Sequence, residues 1–209
     1  MRSELVIIGL GYVGLPLAQE AIASGVRVVG FDVSDHVVDG LNAGRSHGDD
    51  LDDGDIAAML ARGFRATTDP ACLAETDAVV ICVPTPLRED GVPDLSMVMG
   101  ASTTVGQQIG RNTLVVLEST TYPGTTEDIV APIIAAESGL EPGEDFALAF
   151  SPERIDPGNP TFGVRNTPKV VGGMTENCTD VAVALYERII DTVVPTVGTR
   201  EAEMSKLLE

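Results

Sequence analysis

Three glycines, Gly9, Gly11 and Gly14, follow the apolar run Leu5 to Ile8 with the spacing GxGxxG, and Asp32 ends the next apolar run, VRVVGFD. A glycine at the first place permits a tight turn. One at the second lets a bulky anion reach the backbone, and one at the third lets the following helix lie close to the strand. The helix that opens here offers unpaired amides and the positive end of its dipole to a pyrophosphate. A carboxylate about twenty residues further on accepts hydrogen bonds from ribose hydroxyls. The chemistry is dinucleotide binding, with Tyr12 and Val13 in the same turn; a glycine turn beside a solvent-facing aspartate is the other reading. Val33, Ser34, Asp35 and His36 follow Asp32 without an arginine or lysine. A 2′-phosphate would meet a carboxylate and no cation there, so NAD is expected rather than NADP.

Two further segments end apolar runs with hydroxyls and prolines: Val83-Pro84-Thr85-Pro86 and Glu118-Ser119-Thr120-Thr121-Tyr122-Pro123-Gly124-Thr125-Thr126. Val83, Thr85, Pro86, Ser119, Thr120 and Thr126 are candidate contacts for the cofactor, with Thr85, Ser119 and Thr120 towards its nicotinamide half. Thr125 and Thr126 also suit simple helix capping.

The elements that must position these residues are legible as alternation. Strands are expected at Leu5 to Ile8, Val26 to Phe31, Phe64 to Ala66, Ala78 to Val83, Thr113 to Leu117, Ala147 to Phe150, Val170 to Val171 and Val193 to Val197. Helical spacing lies between them at Val13 to Ser24, Ser34 to Ala43, Asp55 to Arg62, Asp69 to Glu75, Leu95 to Ile109, Thr125 to Ser138 and Glu176 to Asp191. Alternating strands and helices predict an α/β, doubly wound, mostly parallel sheet of the Rossmann type, whose ligand lies beyond the carboxyl ends of the strands. Residues 1–198 are read as this dinucleotide-binding domain, and 199–209 as the beginning of a linking helix that continues past the last residue.

Bulk properties narrow the function. The chain has 209 residues, 44% of them hydrophobic, and a formal net charge of −19. Such a charge repels phosphate backbones and anionic membranes, so neither nucleic acid nor membrane is an expected partner. Phosphate must then be held by amides and helix ends rather than by a basic patch. Cys72, Cys82 and Cys178 share no metal-like spacing and only 2 histidines occur, so no metal site is expected. The acidic run from Asp49 to Asp55 lacks calcium-loop spacing and reads as a solvated loop capping a helix. The first residues pass straight into the glycine motif with no cleavage pattern, which predicts a cytoplasmic protein.

In order along the chain, GLGYVGLPLA, FDV, VPTP, ESTTYPGTT, SPERIDPGN, VVGG and EAEMSKLLE resemble the UDP-glucose/GDP-mannose dehydrogenase family. SPERIDPGN is more similar to the UDP-N-acetylhexosamine (mannosamine and glucosamine) 6-dehydrogenases than to the UDP-glucose enzymes. The resemblance implies that Tyr12, Val13, Asp32, Thr85, Thr120 and Thr126 contact NAD. It also implies that Glu153, Arg154 and Ile155 face a UDP-sugar, and that Lys206 works with Glu153 and Thr120 where C6 is oxidised. A solvated helix lysine and a plain exposed glutamate are the other readings of Lys206 and Glu153. Pro157 stands where the UDP-glucose enzymes carry a glutamate, so that role does not transfer.

The reaction implied is oxidation of a primary alcohol to a uronic acid by two NAD, the second step through a cysteine thiolate. No cysteine here occupies a matching motif, so the chain is expected to bind NAD without turning over alone. The whole protein is expected to be a homodimer or larger. A 3-hydroxyacid or 6-phosphogluconate-like dehydrogenase, and an NAD-sensing module without catalysis, remain as alternatives.

Overall fold

The computed structural model describes residues 3–48, 51–89, 91–153 and 163–208. In chain order its elements are β1 (Leu5–Ile8), α1 (Gly14–Ala23), β2 (Val28–Phe31), α2 (Asp35–Asn42), α3 (Asp53–Ala61), β3 (Arg65–Thr67), β4 (Ala78–Ile81), α4 (Ser96–Gly106), β5 (Leu114–Leu117), α5 (Ala131–Ser138), β6 (Ala147–Phe150), β7 (Lys169–Gly173), α6 (Glu176–Tyr186), β8 (Val193–Pro195) and α7 (Thr199–Leu207).

Every residue of β1, β2, β4 and β5 is buried, as continuous apolar strands covered on both faces must be. The eight strands form one sheet in the order β3-β2-β1-β4-β5-β6-β7-β8. All neighbours are parallel except β6 and β7. The chain therefore reverses direction across the sheet between β1 and β4, which opens a crevice at their carboxyl ends.

Side chains of successive strand residues point to opposite faces, and each face has its own core. Leu5, Ile7, Val80 and Val116 pack with Leu17, Leu41, Ile56 and Tyr186 of α1, α2, α3 and α6. Val6, Ile8, Val79 and Leu117 pack with Val98, Ile134 and Ala202 of α4, α5 and α7. Each fully buried aliphatic side chain contributes about 1.5–3 kcal/mol over its exposed state.

Three expected helices differ in detail. Pro70–Leu73 is one 3₁₀ turn begun by Asp69, whose carboxylate accepts from the Ala71 amide. Thr126–Val130 is a π turn before α5, closed by the Ala131 amide on the Thr126 carbonyl; Pro132, one residue later, has no amide to continue a tight ladder. α6 ends at Tyr186 because the next turn tightens to Arg188-on-Leu185 and Ile189-on-Tyr186 bonds, which drives Ile189 and Ile190 into the core.

Candidate functional site: the crevice beyond β1, β4 and β5

Gly9 leaves β1 with φ +88, and a Cβ there would lie 2.6 Å from the Cys82 carbonyl oxygen. At Gly14 a Cβ would lie 1.9 Å from the Gly9 carbonyl oxygen, so α1 can start this close to the turn only with glycine. Gly11 has nothing within 4 Å of its Cβ position and faces open space. No side chain caps α1. A bare backbone turn below an open helix end suits an anion, and needs no cation to hold it.

Asp32 stands at the tip of β2, anchored through both oxygens. Oδ2 accepts from the Leu10 amide and Oδ1 from the Ser34 amide, each at 2.9 Å. The carboxylate is thus locked against the glycine turn, with remaining lone pairs directed to the crevice it lines. The crevice holds about 620 Å³, within the range of small-molecule sites. Gly9, Gly11, Tyr12, Val13, Asp32, Val83, Thr85, Ser119, Thr120 and Glu153 all line it. No arginine or lysine is among its described lining residues.

The tips of β4 and β5 are tied to each other. Thr85 Oγ1 donates to the Thr120 carbonyl at 2.6 Å, and Ser119 Oγ to the Val83 carbonyl at 2.8 Å. With their protons engaged, these hydroxyls face a ligand as acceptors. Glu153 follows β6, and its carbonyl accepts from Lys206 Nζ at 2.6 Å. Two residues 53 positions apart thereby meet, Glu153 lining the crevice and Lys206 reaching it from α7 without lining the crevice itself.

Other expected contacts lie elsewhere. Thr126 is fully buried because its amide and hydroxyl close on Glu203 of α7, at 2.9 and 2.7 Å. Pro86 is exposed beside the rim, its carbonyl accepting from the Asp94 amide at 2.7 Å. Arg154 and Ile155 lie outside the described residues.

Sequence reasoning missed a buried cluster behind the crevice. Glu118, which directly follows β5 and lines the crevice, pairs through Oε1 with Lys169 Nζ of β7 and through Oε2 with the Tyr186 hydroxyl of α6, the latter at 2.5 Å. Lys169 Nζ also lies 5.2 Å from the Tyr186 ring centre. Burial, aided by the nearby Glu153 charge, outweighs the attraction of Lys169 and pushes the Glu118 carboxyl up to about 7. Burial opposes the Lys169 charge, but Glu118 and Glu153 overcome it and hold the ammonium above its ordinary value. One sign was present in the sequence: Lys169 and Lys206 are the two lysines of the chain, and Lys169 opens an apolar strand. Met97, Gly100, Ala101 and Thr104 of α4, and His47, also line the crevice and carried no motif.

Residues 3–190 match the model of the UDP-glucose/GDP-mannose dehydrogenase family, NAD binding domain. The chain belongs to that family. This NAD-binding domain is 37% identical over 206 residues to a UDP-N-acetyl-D-glucosamine 6-dehydrogenase of Salmonella typhi, covering 99% of the chain and 47% of that protein. A UDP-N-acetyl-D-mannosamine dehydrogenase of the same organism is 36% identical over 211 residues, covering 97% of the chain and 50% of that protein. The structure of a UDP-D-ManNAc dehydrogenase from Pyrococcus horikoshii superposes with a TM-score of 0.91 at 35% identity, covering 98% of this chain and 49% of that one. The chain spans about half the length of the curated relatives it matches. The domain's cofactor is NAD, and the glycine turn, the open α1 terminus and the anchored Asp32 fit it. No helix among the described residues is long and apolar enough to cross a membrane.

Proposed function

We propose that this chain serves as the cofactor half of a UDP-sugar 6-dehydrogenase that oxidises the C6 alcohol of a UDP-N-acetylhexosamine to the uronic acid with two NAD. The observation that carries the proposal is the contact of Lys206 Nζ with the backbone carbonyl of Glu153, a residue that lines the NAD crevice. Residues 1–198 form the cofactor unit in this reading, and α7 begins the helix that leads from it.

The roles follow from chemistry. The turn at Gly9 and Gly11 and the α1 terminus at Gly14 hold the pyrophosphate, with Tyr12 and Val13 alongside. Asp32 accepts from the adenosine ribose, and Val83, Thr85, Ser119 and Thr120 line the other half. Bound NAD supplies the hydride acceptor. As the hydride passes to NAD the hydroxyl proton leaves to water, the Lys206 ammonium steadies the oxygen, and Glu153 orients the sugar or a water. Thr120 shares that end of the crevice.

The second oxidation needs a thiolate, and the cysteines here are poor ones. Burial pushes the Cys72 thiol up to about 11 and the Cys82 thiol well above its ordinary value, and Cys178 of α6 does not line the crevice. The chain alone therefore binds NAD and does not turn over. We take the whole protein to be a cytoplasmic homodimer or larger assembly, on its resemblance to the family.

Calorimetry should detect one NAD site, with NADP at least about tenfold weaker. Adding UDP-N-acetylglucosamine or UDP-N-acetylmannosamine should give no sustained NADH absorbance. Absence of NAD binding would overturn the cofactor assignment; sustained turnover would overturn the incapacity.

A further inference from the structure

The glycine turn and Asp32 occupy one side of the crevice, and Glu118 stands at the other, at the tip of β5, with its partners behind it on β7 and α6. In a doubly wound sheet the two nucleotide halves of a dinucleotide lie on either side of the switch point. With the adenosine half at Asp32, the nicotinamide half faces the Glu118 side. The oxidised ring carries a positive charge there and the reduced ring carries none. The charge of a water-excluded group next to this place must favour one redox state over the other.

We propose that Glu118, held between Lys169 and Tyr186, sets the preference of this domain for oxidised over reduced dinucleotide and links that preference to the uptake of one proton. The inference rests on the NAD reading of the crevice. An ionised Glu118 cancels the Lys169 charge and leaves the pocket neutral to a cationic ring. A protonated Glu118 removes one of the two carboxylate charges that face the ammonium and makes the pocket one unit more positive, which disfavours the oxidised ring and is indifferent to the reduced one. Binding of the oxidised form consequently expels the proton from Glu118, and reduction lets it return.

The groups facing Glu118 are Lys169 from β7, Tyr186 from α6, Glu153 after β6 and Cys82 after β4. The Tyr186 hydroxyl and the Cys82 thiol are both held well above their ordinary values, so neither ionises near neutrality. The position of Glu118 near 7 puts the switch in the accessible range. His47 also lines the crevice, but it shares a neighbouring recess with Gly11 and Tyr12 at the phosphate turn. Its charge acts on both redox forms alike and cancels in their ratio.

The test is calorimetric titration of this chain with NAD⁺ and with NADH on both sides of neutral pH, read as the ratio of the two affinities. In the unsubstituted chain the ratio should shift towards NAD⁺ by at least about tenfold from the acid to the alkaline side, the least expected for unit charges within about 12 Å at an effective dielectric of about 20. Glu118→Gln removes that carboxylate charge at every pH and should give a pH-independent ratio at the acid-side value. The double variant Glu118→Gln with Lys169→Met removes both charges. It guards against misfolding of the single variant and should give a pH-independent ratio near the alkaline-side value. A ratio that responds neither to pH nor to either variant overturns the inference while leaving the NAD reading intact. Failure of the unsubstituted chain to bind either form overturns the NAD reading itself.

Discussion

Glu203 accepts both the amide and the hydroxyl of Thr126 through one carboxylate oxygen, at 2.9 and 2.7 Å, and the Gly124 amide through the other at 2.5 Å. The carboxylate is fully buried, so α7 is fastened to the loop after β5 by a group that has no water to fall back on. Lys206 sits three residues further along α7, almost one turn away, and reaches Glu153 from that fixed base.

Removing the fastening should be costly. Glu203→Ala leaves the two buried amides and one hydroxyl without an acceptor, and stability should fall by about 2–4 kcal/mol in urea denaturation. Glu203→Gln can still accept from Thr126 but turns an NH₂ towards the Gly124 amide, so it should recover only part of the loss. Equal stability in all three chains would show that the contact is not structural.

Asp32 is an anchored acceptor rather than a free surface charge, so its charge can be tested while one oxygen is kept. Asp32→Asn should weaken NAD binding by about tenfold or more, because a charge-assisted bond to the ribose is replaced by a neutral one. Glu75, which is exposed and outside the crevice lining, serves as a control: Glu75→Gln should leave NAD affinity unchanged. A loss in the control equal to that in Asp32→Asn would point to net charge instead.

The contact at Gly14 leaves no room for a methyl group. Gly14→Ala would place Cβ 1.9 Å from the Gly9 carbonyl oxygen, so α1 must move off the turn. NAD binding should be lost while the far-ultraviolet circular dichroism remains close to that of the unsubstituted chain. Retained binding would show that the turn can yield by more than the packing suggests.

Glu118 also makes stability depend on pH in a definite direction. Its ordinary value of 4.5 is raised to about 7 in the folded chain by burial. Between these values the folded form holds a proton that the unfolded form has released. The contribution is therefore whole below about 4.5 and is lost as pH rises through about 7. Glu203 is raised as well, by burial against the pull of its three donors, and acts with the same sign. Urea midpoints should fall across this window, and Glu118→Gln should flatten the slope by about one proton. A slope unchanged in that variant would assign the dependence to other groups.

The residues legible in the sequence are those whose roles are local. Gly9 and Gly14 are dictated by backbone geometry within six positions, Gly11 by the room it leaves for a ligand, and Asp32 by the end of the strand that follows one helix. The strands β1, β2, β4 and β5 are equally legible, since burial on both faces demands unbroken apolar residues. Boundaries were less so at α6 and at the turn before α5, where the loss of a ladder bond depends on what the next residues must bury.

What the sequence by itself determined was the dinucleotide turn, an acid without a neighbouring cation at the end of the second strand, and the alternation that winds the sheet. Tertiary structure alone decided which polar residues meet. Thr126 carries a capping-type hydroxyl in sequence, yet it faces a glutamate 77 residues away. Glu118 follows β5, Lys169 opens β7 and Tyr186 ends α6, elements whose neighbourhood is set by sheet order. A short motif records constraints that one stretch of backbone imposes on itself. A buried charge records the desolvation imposed by every element packed around it, and only the assembled sheet fixes those.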